Sequence, residues 1–263
     1  MMLIKGRRAR GRTQREVADE VLLSVDSYRA YEAGRTTPPA KHVKALAAAC
    51  GIGAEIAAYM VQVASKKEEA LEADQRFNAL FIALAEEHYG SFFKFDALMI
   101  PGILQLQEYH YIVARLAEPA SDQWVDNGWD FKEGRQRVIE SRIDRPEIHF
   151  LIGETALLQL WQVSEELYQD QMTHLRRCAR RPGVKIRILP GPVLAQRSSF
   201  EIYSKDGGRL AGPMFVYTEG LDSSWLIDDP TRIASYDVVR KMLWKKAIRI
   251  EVYHDDDRRF RLA

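Results

Sequence analysis

GRTQREVADEVLLSVDSYRAYEAG, residues 11–34, decides how the front of this chain folds. Thr13-Gln14-Arg15-Glu16 has the form of a capping box, in which the Thr hydroxyl accepts from the Glu16 N–H while the Glu16 carboxylate reaches back. A helix therefore opens there, with Val17, Ala18 and Val21 on its inner face. Leu22-Leu23 is the turn. Ser24 caps the next helix, which runs to Glu32; Tyr28 and Tyr31 share its inner face at i, i+3, leaving Val25, Asp26 and Arg29 outward. Gly34 ends it. Working outward, Leu3 to about Arg10 is a short helix stopped by Gly11, and Pro38-Pro39 sets off another, Lys41 to Cys50, with Val43, Leu46 and Ala47 as its buried stripe. Short helices, two of them joined tightly, predict an all-α helix-turn-helix domain over residues 1–53.

Charge separates this head from the rest. Residues 1–52 hold ten Lys/Arg against five Asp/Glu, a balance of +5, while the remainder holds 28 against 32, a balance of −4. A small basic module on a mildly acidic body suits a polyanion-binding unit attached to something larger. Of the 263 residues 46% are hydrophobic, enough for a sizeable core, and no run of about 18 apolar residues predicts a membrane span. The N-terminus does not read as a signal peptide, and Cys50 and Cys178 form no disulfide framework, so the expected location is the reducing cytoplasm.

Gly11 to Ala18, Ser24 to Glu32, Gly34 and Pro38 together resemble the Cro/repressor-type (XRE-like) DNA-binding domain. The resemblance implies that the helix from Ser24 enters the major groove of double-stranded DNA, with Val25, Asp26, Ser27, Arg29 and Ala30 at the reading positions. Arg29 suits guanine O6/N7, Asp26 the cytosine amino group, and Val25 a thymine methyl. Gln14 matches the family's phosphate-contacting glutamine at a helix N-terminus, with Thr13 and Ser24 as the flanking caps. Arg12, Arg35 and Lys41 are further phosphate contacts. Leu22-Leu23 replaces the family's turn glycine, and the reading surface is poor in long polar side chains, which implies modest specificity or a share of shape readout.

From residue 54 to 263 the pattern becomes a larger mixed α/β domain. Helices are expected over 54–64, from a second capping box at Ser65-Lys66-Lys67-Glu68 to His88 (with Phe77, Leu80, Phe81, Leu84 and His88 on one face), around Leu106 to Leu116, over 132–142, 154–161, 165–180 and 230–247, the last with Ile233, Tyr236 and Met242 inward. Strands are expected at Ser91–Ile100, Ile148–Ile152, from Val184, at Phe200–Tyr203, Met214–Tyr217 and Ser224–Ile227, with a turn at Asp206-Gly207-Gly208.

Ile100-Pro101-Gly102-Ile103-Leu104-Gln105 with Tyr109, Arg135-Gln136, Gly153 to Leu157, Gln171-Met172 with Leu175, Val184 to Pro190 and Phe215 to Glu219 resemble the actinobacterial WhiJ-like, antitoxin-like regulators. Lys132 stands where that family often has Arg, and the tail after Ile248 departs from it. The resemblance implies a large domain that senses a signal or a small partner protein; no catalytic role follows from it.

The residues themselves offer no catalytic constellation. The six histidines have no zinc spacing, and Walker, GxGxxG and GxSxG motifs are absent, so no catalytic residue, metal or cofactor is expected. Asp255-Asp256-Asp257, Glu86-Glu87 and Glu165-Glu166 read as solvated faces. Glu154 is the best candidate for a buried polar group, weighed against a plain helix-start residue stabilised by the dipole. The expected function is a DNA-binding transcriptional regulator, dimeric, whose body senses a small-molecule signal or partner. The alternative is an antitoxin-like protein that binds a small partner and autoregulates its operon.

Overall fold

The computed structural model describes residues 2–65, 70–73, 75–117, 121–191, 198–206, 211–220 and 224–253. The head contains α1 (Met2–Ala9), α2 (Gln14–Glu20), α3 (Val25–Glu32) and α4 (Ala40–Ala49), followed by α5 (Ala54–Ser65). Leu3, Val17, Ala18, Tyr28, Leu46, Ala49 and Cys50 form its buried core. Gly11 and Gly34 terminate α1 and α3 with φ of +63° and +68°, the left-handed conformation that costs glycine least. Leu22 takes the same kind of conformation at φ +56° with its side chain 93% exposed. Val25 is not outward as expected: it is partly buried against the head core. α5, which starts at Ala54, packs along α4 and brings Met60 to the head core.

The body comprises β1 (Ala70–Ala73), α6 (Gln75–His88), β2 (Ser91–Asp96), a short 3-10 turn at Gly102–Leu104, α7 (Gln107–Ala117), α8 (Asp122–Ser141), β3 (Glu147–Gly153), α9 (Glu154–Val163), α10 (Glu165–Ala179), β4 (Val184–Leu189), β5 (Phe200–Ser204), β6 (Phe215–Glu219), β7 (Ser224–Ile227), α11 (Pro230–Lys246) and β8 (Ile248–Arg249). Among the described residues eight strands join one sheet in the order β1-β7-β6-β5-β2-β3-β4-β8. β2, β3 and β4 run parallel; every other pairing is antiparallel. One sheet face packs a large core, Phe92, Phe150, Ile152, Ile186, Ile188 and Tyr203 among it, with residues of α6, α7, α9 and α10. The other face, with Phe93, Phe95, Leu151, Phe200 and Val216, packs Ile233 and Leu243 of α11. β2 is covered on both sides, which explains its near-continuous aromatic run. This is a helical head with a mixed α/β body, as expected.

Several elements differ in extent. No helix runs through 65–88; β1 and α6 replace it, and residues 66–68 of the expected capping box lie outside the described residues. The buried face of α6 is Asn78, Ile82, Ala85 and Glu86, whereas Leu80 is exposed. β2 stops at Asp96 because its Oδ1 accepts from the N–H groups of Leu98 and Met99, a local turn that ends the ladder before Ile100. α8 starts ten residues early, at Asp122, capped by Ser121, whose hydroxyl accepts from the Trp124 N–H. Gly128, which reads as a helix breaker, lies beside the His110 ring, and a Cβ there would come within 3.2 Å of it. Leu116 and Met242 are exposed; Leu243 points inward instead. Gly207, Gly208 and Asp255-Asp256-Asp257 lie outside the described residues.

Candidate nucleic-acid interface

The capping box forms: Thr13 N donates to Glu16 Oε2 at 2.7 Å and Glu16 N donates to Thr13 Oγ1 at 3.2 Å. These bonds hold the Glu16 carboxyl below its ordinary value, the Thr13 backbone contact contributing most. Ser24 Oγ accepts from Ser27 N at 3.1 Å and caps α3. The two caps aim the start of α2 and the start of α3 to solvent. On the first turn of α3 Asp26 is 90% exposed; Arg29, one turn on, is 56% exposed and reaches Asp26 Oδ1 at 3.3 Å.

Behind this surface runs a chain of polar contacts. Arg29 Nε donates to Gln14 Oε1 at 3.3 Å, and Gln14 Nε2 donates to Glu32 Oε2 at 2.7 Å. Glu32 also receives Arg7 through Nε at 2.6 Å and Nη2 at 3.0 Å, and Tyr28 OH at 2.8 Å. Tyr28 OH lies 3.4 Å from Cys50 Sγ. Burial works to raise the Glu32 carboxyl, but hydrogen bonds from Arg7, Gln14 and Tyr28 outweigh it and hold Glu32 below its ordinary value. Burial, with Cys50 and Glu32 beside it, pushes the Tyr28 hydroxyl far above the usual range. Arg7, Gln14 and Glu32 thus fix α1, α2 and α3 to one another at the base of this surface.

Of the residues expected to meet DNA, Ser24, Val25, Asp26, Ser27, Arg29 and Ala30 occupy the cap and first half of α3, next to Thr13 and Gln14 at the start of α2. The amide of Gln14 is engaged on both sides within the protein. Arg12 is partly buried: it donates to Ala49 O at 3.0 Å and pairs with Glu20 at 2.5 Å, tying α2 to α4. Arg35 and Lys41 are exposed beyond the end of α3 and at the start of α4. The pair missed by sequence reading is Arg7 with Glu32. Its signal was an acid at i+4 from Tyr28, on the inner side of α3.

The body holds a second polar cluster, centred on a buried carboxylate. Glu86, read as a solvated residue, is 1% exposed. It receives Arg135 through Nε at 2.8 Å and Nη2 at 2.6 Å, and pairs with Lys94 at 2.8 Å. Lys94 also bonds Glu201 at 2.6 Å and Tyr203 OH at 2.7 Å. Against the upward push of burial, Arg135 and Lys94 hold the Glu86 carboxyl down to about 2. The 100–109 block is stitched in alongside. Gln105 Nε2 donates to Ile100 O at 2.6 Å, Tyr109 OH accepts from Ile100 N at 3.1 Å, and Gln171 bonds both Leu104 O and Leu106 N. Lys132 donates to Gln105 Oε1 at 2.7 Å and meets His110 Nδ1 at 2.9 Å; burial, aided by Arg135, lowers its ammonium to about 8. Glu154 is buried, accepting from Gly191 N and Tyr253 OH, both at 2.9 Å. Among the described residues no group of three or more His, Cys, Asp or Glu is arranged to hold a metal ion, and no helix is long and apolar enough to cross a membrane.

Residues 3–56 match the family model described as helix-turn-helix, and residues 82–251 match the domain of unknown function DUF5753. No curated protein matches the chain. Among solved structures it is similar to TrmBL2, described as an archaeal chromatin protein with a novel mode of DNA binding. The identity is 13% and the TM-score 0.34, over 74% of this chain and 59% of that one, so the chain spans less than two thirds of that neighbour's length.

Proposed function

The chain belongs to the DUF5753 family, carried here behind a helix-turn-helix, and on that premise we propose that it is a sequence-specific DNA-binding transcriptional regulator. The observation that carries the reading is the exposed start of α3, braced from behind by Gln14, Glu32 and Arg7, on a head with a charge balance of +5. Ser24, Asp26, Ser27, Arg29 and Ala30 face the bases, with Val25, half turned to the head core, at their edge. Thr13, Gln14, Arg35 and Lys41 follow the phosphates, and Arg12 supports them through α4. One head meets one half-site, so the regulator works as a homodimer on two half-sites about 34 Å apart. Residues 1–53 read DNA in the cytoplasm and residues 54–263 receive a signal from a small molecule or partner. The likeness of the Ile100–Gln105 block to the WhiJ-like regulators supports the antitoxin-like variant, in which a small protein is that signal.

The test is a salt titration of the full chain on a duplex it selects from a random pool. The logarithm of affinity should fall linearly with the logarithm of salt concentration, with a slope of about −0.9 per phosphate neutralised. A flat dependence, or no selected duplex at all, would sink the reading.

A further inference from the structure

The head meets the body across two hollows, one on each side of α1, and Met2 lines both. The smaller has a volume of about 490 Å³. Leu3 and Val43 of the head, Tyr59 of α5, and Phe81, Phe215 and Leu226 of the body line it. A joint packed to the density of a protein interior would leave no such space, and the volume falls in the range of small-molecule sites, which favour domain junctions. No Lys, Arg or His side chain contributes to its described lining; Asp228, exposed at the rim, is its charged group.

The roof of this cavity includes Thr37 and Pro38, a few residues past the end of α3. Just before them, Gly34 lies against the body: a Cβ there would stand 3.3 Å from Pro213 Cδ. Pro213 and Met214 are themselves part of the lining, and Pro213 O accepts from Tyr89 OH at 2.7 Å. An occupant of the cavity therefore touches the segment that leaves the reading helix and the body loop on which that segment rests. On the opposite side of α1 the joint is held by the ion pair of Lys5 with Glu87 at 2.5 Å, beside the second hollow of about 620 Å³.

We infer that the 490 Å³ cavity is an effector site for a mainly apolar small molecule, neutral or carrying an amine, and that filling it resets the head against the body. The inference rests on the DNA-binding reading above and gives the signal its place and its chemistry. The apolar and aromatic walls select the body of the ligand by desolvation, and Asp228 selects against an anion.

The probes are neutral phenylnaphthylamine and anionic anilinonaphthalene sulfonate, both followed by fluorescence on the full chain. The neutral probe should bind saturably, one per chain, and more tightly than the anionic one. Ala64→Trp, which fills the cavity, should weaken it by about tenfold or more, while Ala83→Trp in the second hollow should leave it unchanged. Asp228→Lys, at an exposed site, should reverse the preference toward the anionic probe. Saturating neutral probe should change the affinity for the selected duplex by about fivefold or more. The inference is overturned by no saturable binding, by equal loss in Ala83→Trp, by an unchanged charge preference in Asp228→Lys, or by bound probe that leaves DNA affinity untouched. A chain that binds the probe as expected but no DNA would leave the cavity as a ligand site and overturn the DNA-binding reading together with the coupling.

Discussion

The head and the body each bury a helix-borne carboxylate against an arginine, but the two clusters end differently. In the head, Glu32 gathers Arg7, Tyr28 and Gln14, and the chain of contacts surfaces at Arg29. In the body, Glu86 gathers Arg135 and Lys94, and the contacts continue along the sheet to Glu201 and Tyr203. The first cluster connects the interior to a surface. The second fastens α6 and α8 to β2 and β5 and ends at Glu201, only 22% exposed, short of any fully solvated group. Buried ion pairs of the same composition can therefore serve presentation in one place and assembly in another, depending on where the last hydrogen bond points.

The largest effect should come from breaking the body's cluster. Glu86→Gln leaves Arg135 and Lys94 buried with too little negative charge and should cost about 3–5 kcal/mol, read by urea unfolding of the full chain. A cost under about 1 kcal/mol would show that the cluster is open to water. The pH dependence follows from the lowered carboxyl. Unfolding raises its affinity for protons, so its stabilising contribution is full above its ordinary value of 4.5 and fades as pH falls toward about 2. The difference between wild type and Glu86→Gln should shrink over that window.

Glu32→Gln should cost less, about 1.5–3 kcal/mol, because it leaves one cation behind where Glu86→Gln leaves two, and the amide keeps part of the hydrogen bonding. It should also weaken DNA binding, since Gln14 loses the carboxylate that orients it. DNA affinity unchanged in a folded Glu32→Gln variant would break the distinction between a presenting cluster and a fastening one. Arg29→Ala, at the end of the head's chain, should leave stability nearly unchanged. Its expected cost is about 1–3 kcal/mol of DNA discrimination at one base pair, measured by competition among duplex variants. Gln14→Ala should weaken all duplexes alike.

The smallest effect concerns the turn. Leu22 stands at φ +56° with nothing packed on its side chain. Leu22→Gly should raise the melting stability of the head by about 0.5–1 kcal/mol, relief of left-handed strain exceeding the entropy cost of glycine. Destabilisation would mean that Leu22 is held by contacts rather than tolerated.

Legibility followed the same divide. The head was readable because its signals are local: Thr13 and Glu16, Ser24, Gly11 and Gly34 each act within four residues. In the body the decisive partners are distant. Ala70–Ala73 has no strand-like sequence of its own and becomes β1 by pairing with Ser224–Ile227. Glu86 carries the same local signal as its neighbour Glu87, yet one is sealed against Arg135 and the other meets Lys5. The polar residues after 119 hid the first half of α8, because Gly128 is a breaker only until the His110 ring is packed beside it. The helix caps located α2 and α3, and the candidate reading positions on them came from the resemblance to the repressor-type domain; the Arg7–Glu32 brace, 25 residues apart, came from neither.

Sheet order also governs how the chain is born. Every helix of the head is complete by residue 65. β2, at the middle of the sheet, waits for β5, and Lys94 meets Glu201 across 107 residues. At a translation rate of about 5–20 residues per second, roughly 5–20 s separate the emergence of β2 from that of β5. During that interval Phe92, Phe93 and Phe95 lack β5 and the sheet behind them. Holdase chaperones should therefore engage the nascent chain after β2 appears and release it once residue 204 has cleared the ribosome, long after the helices in front have closed.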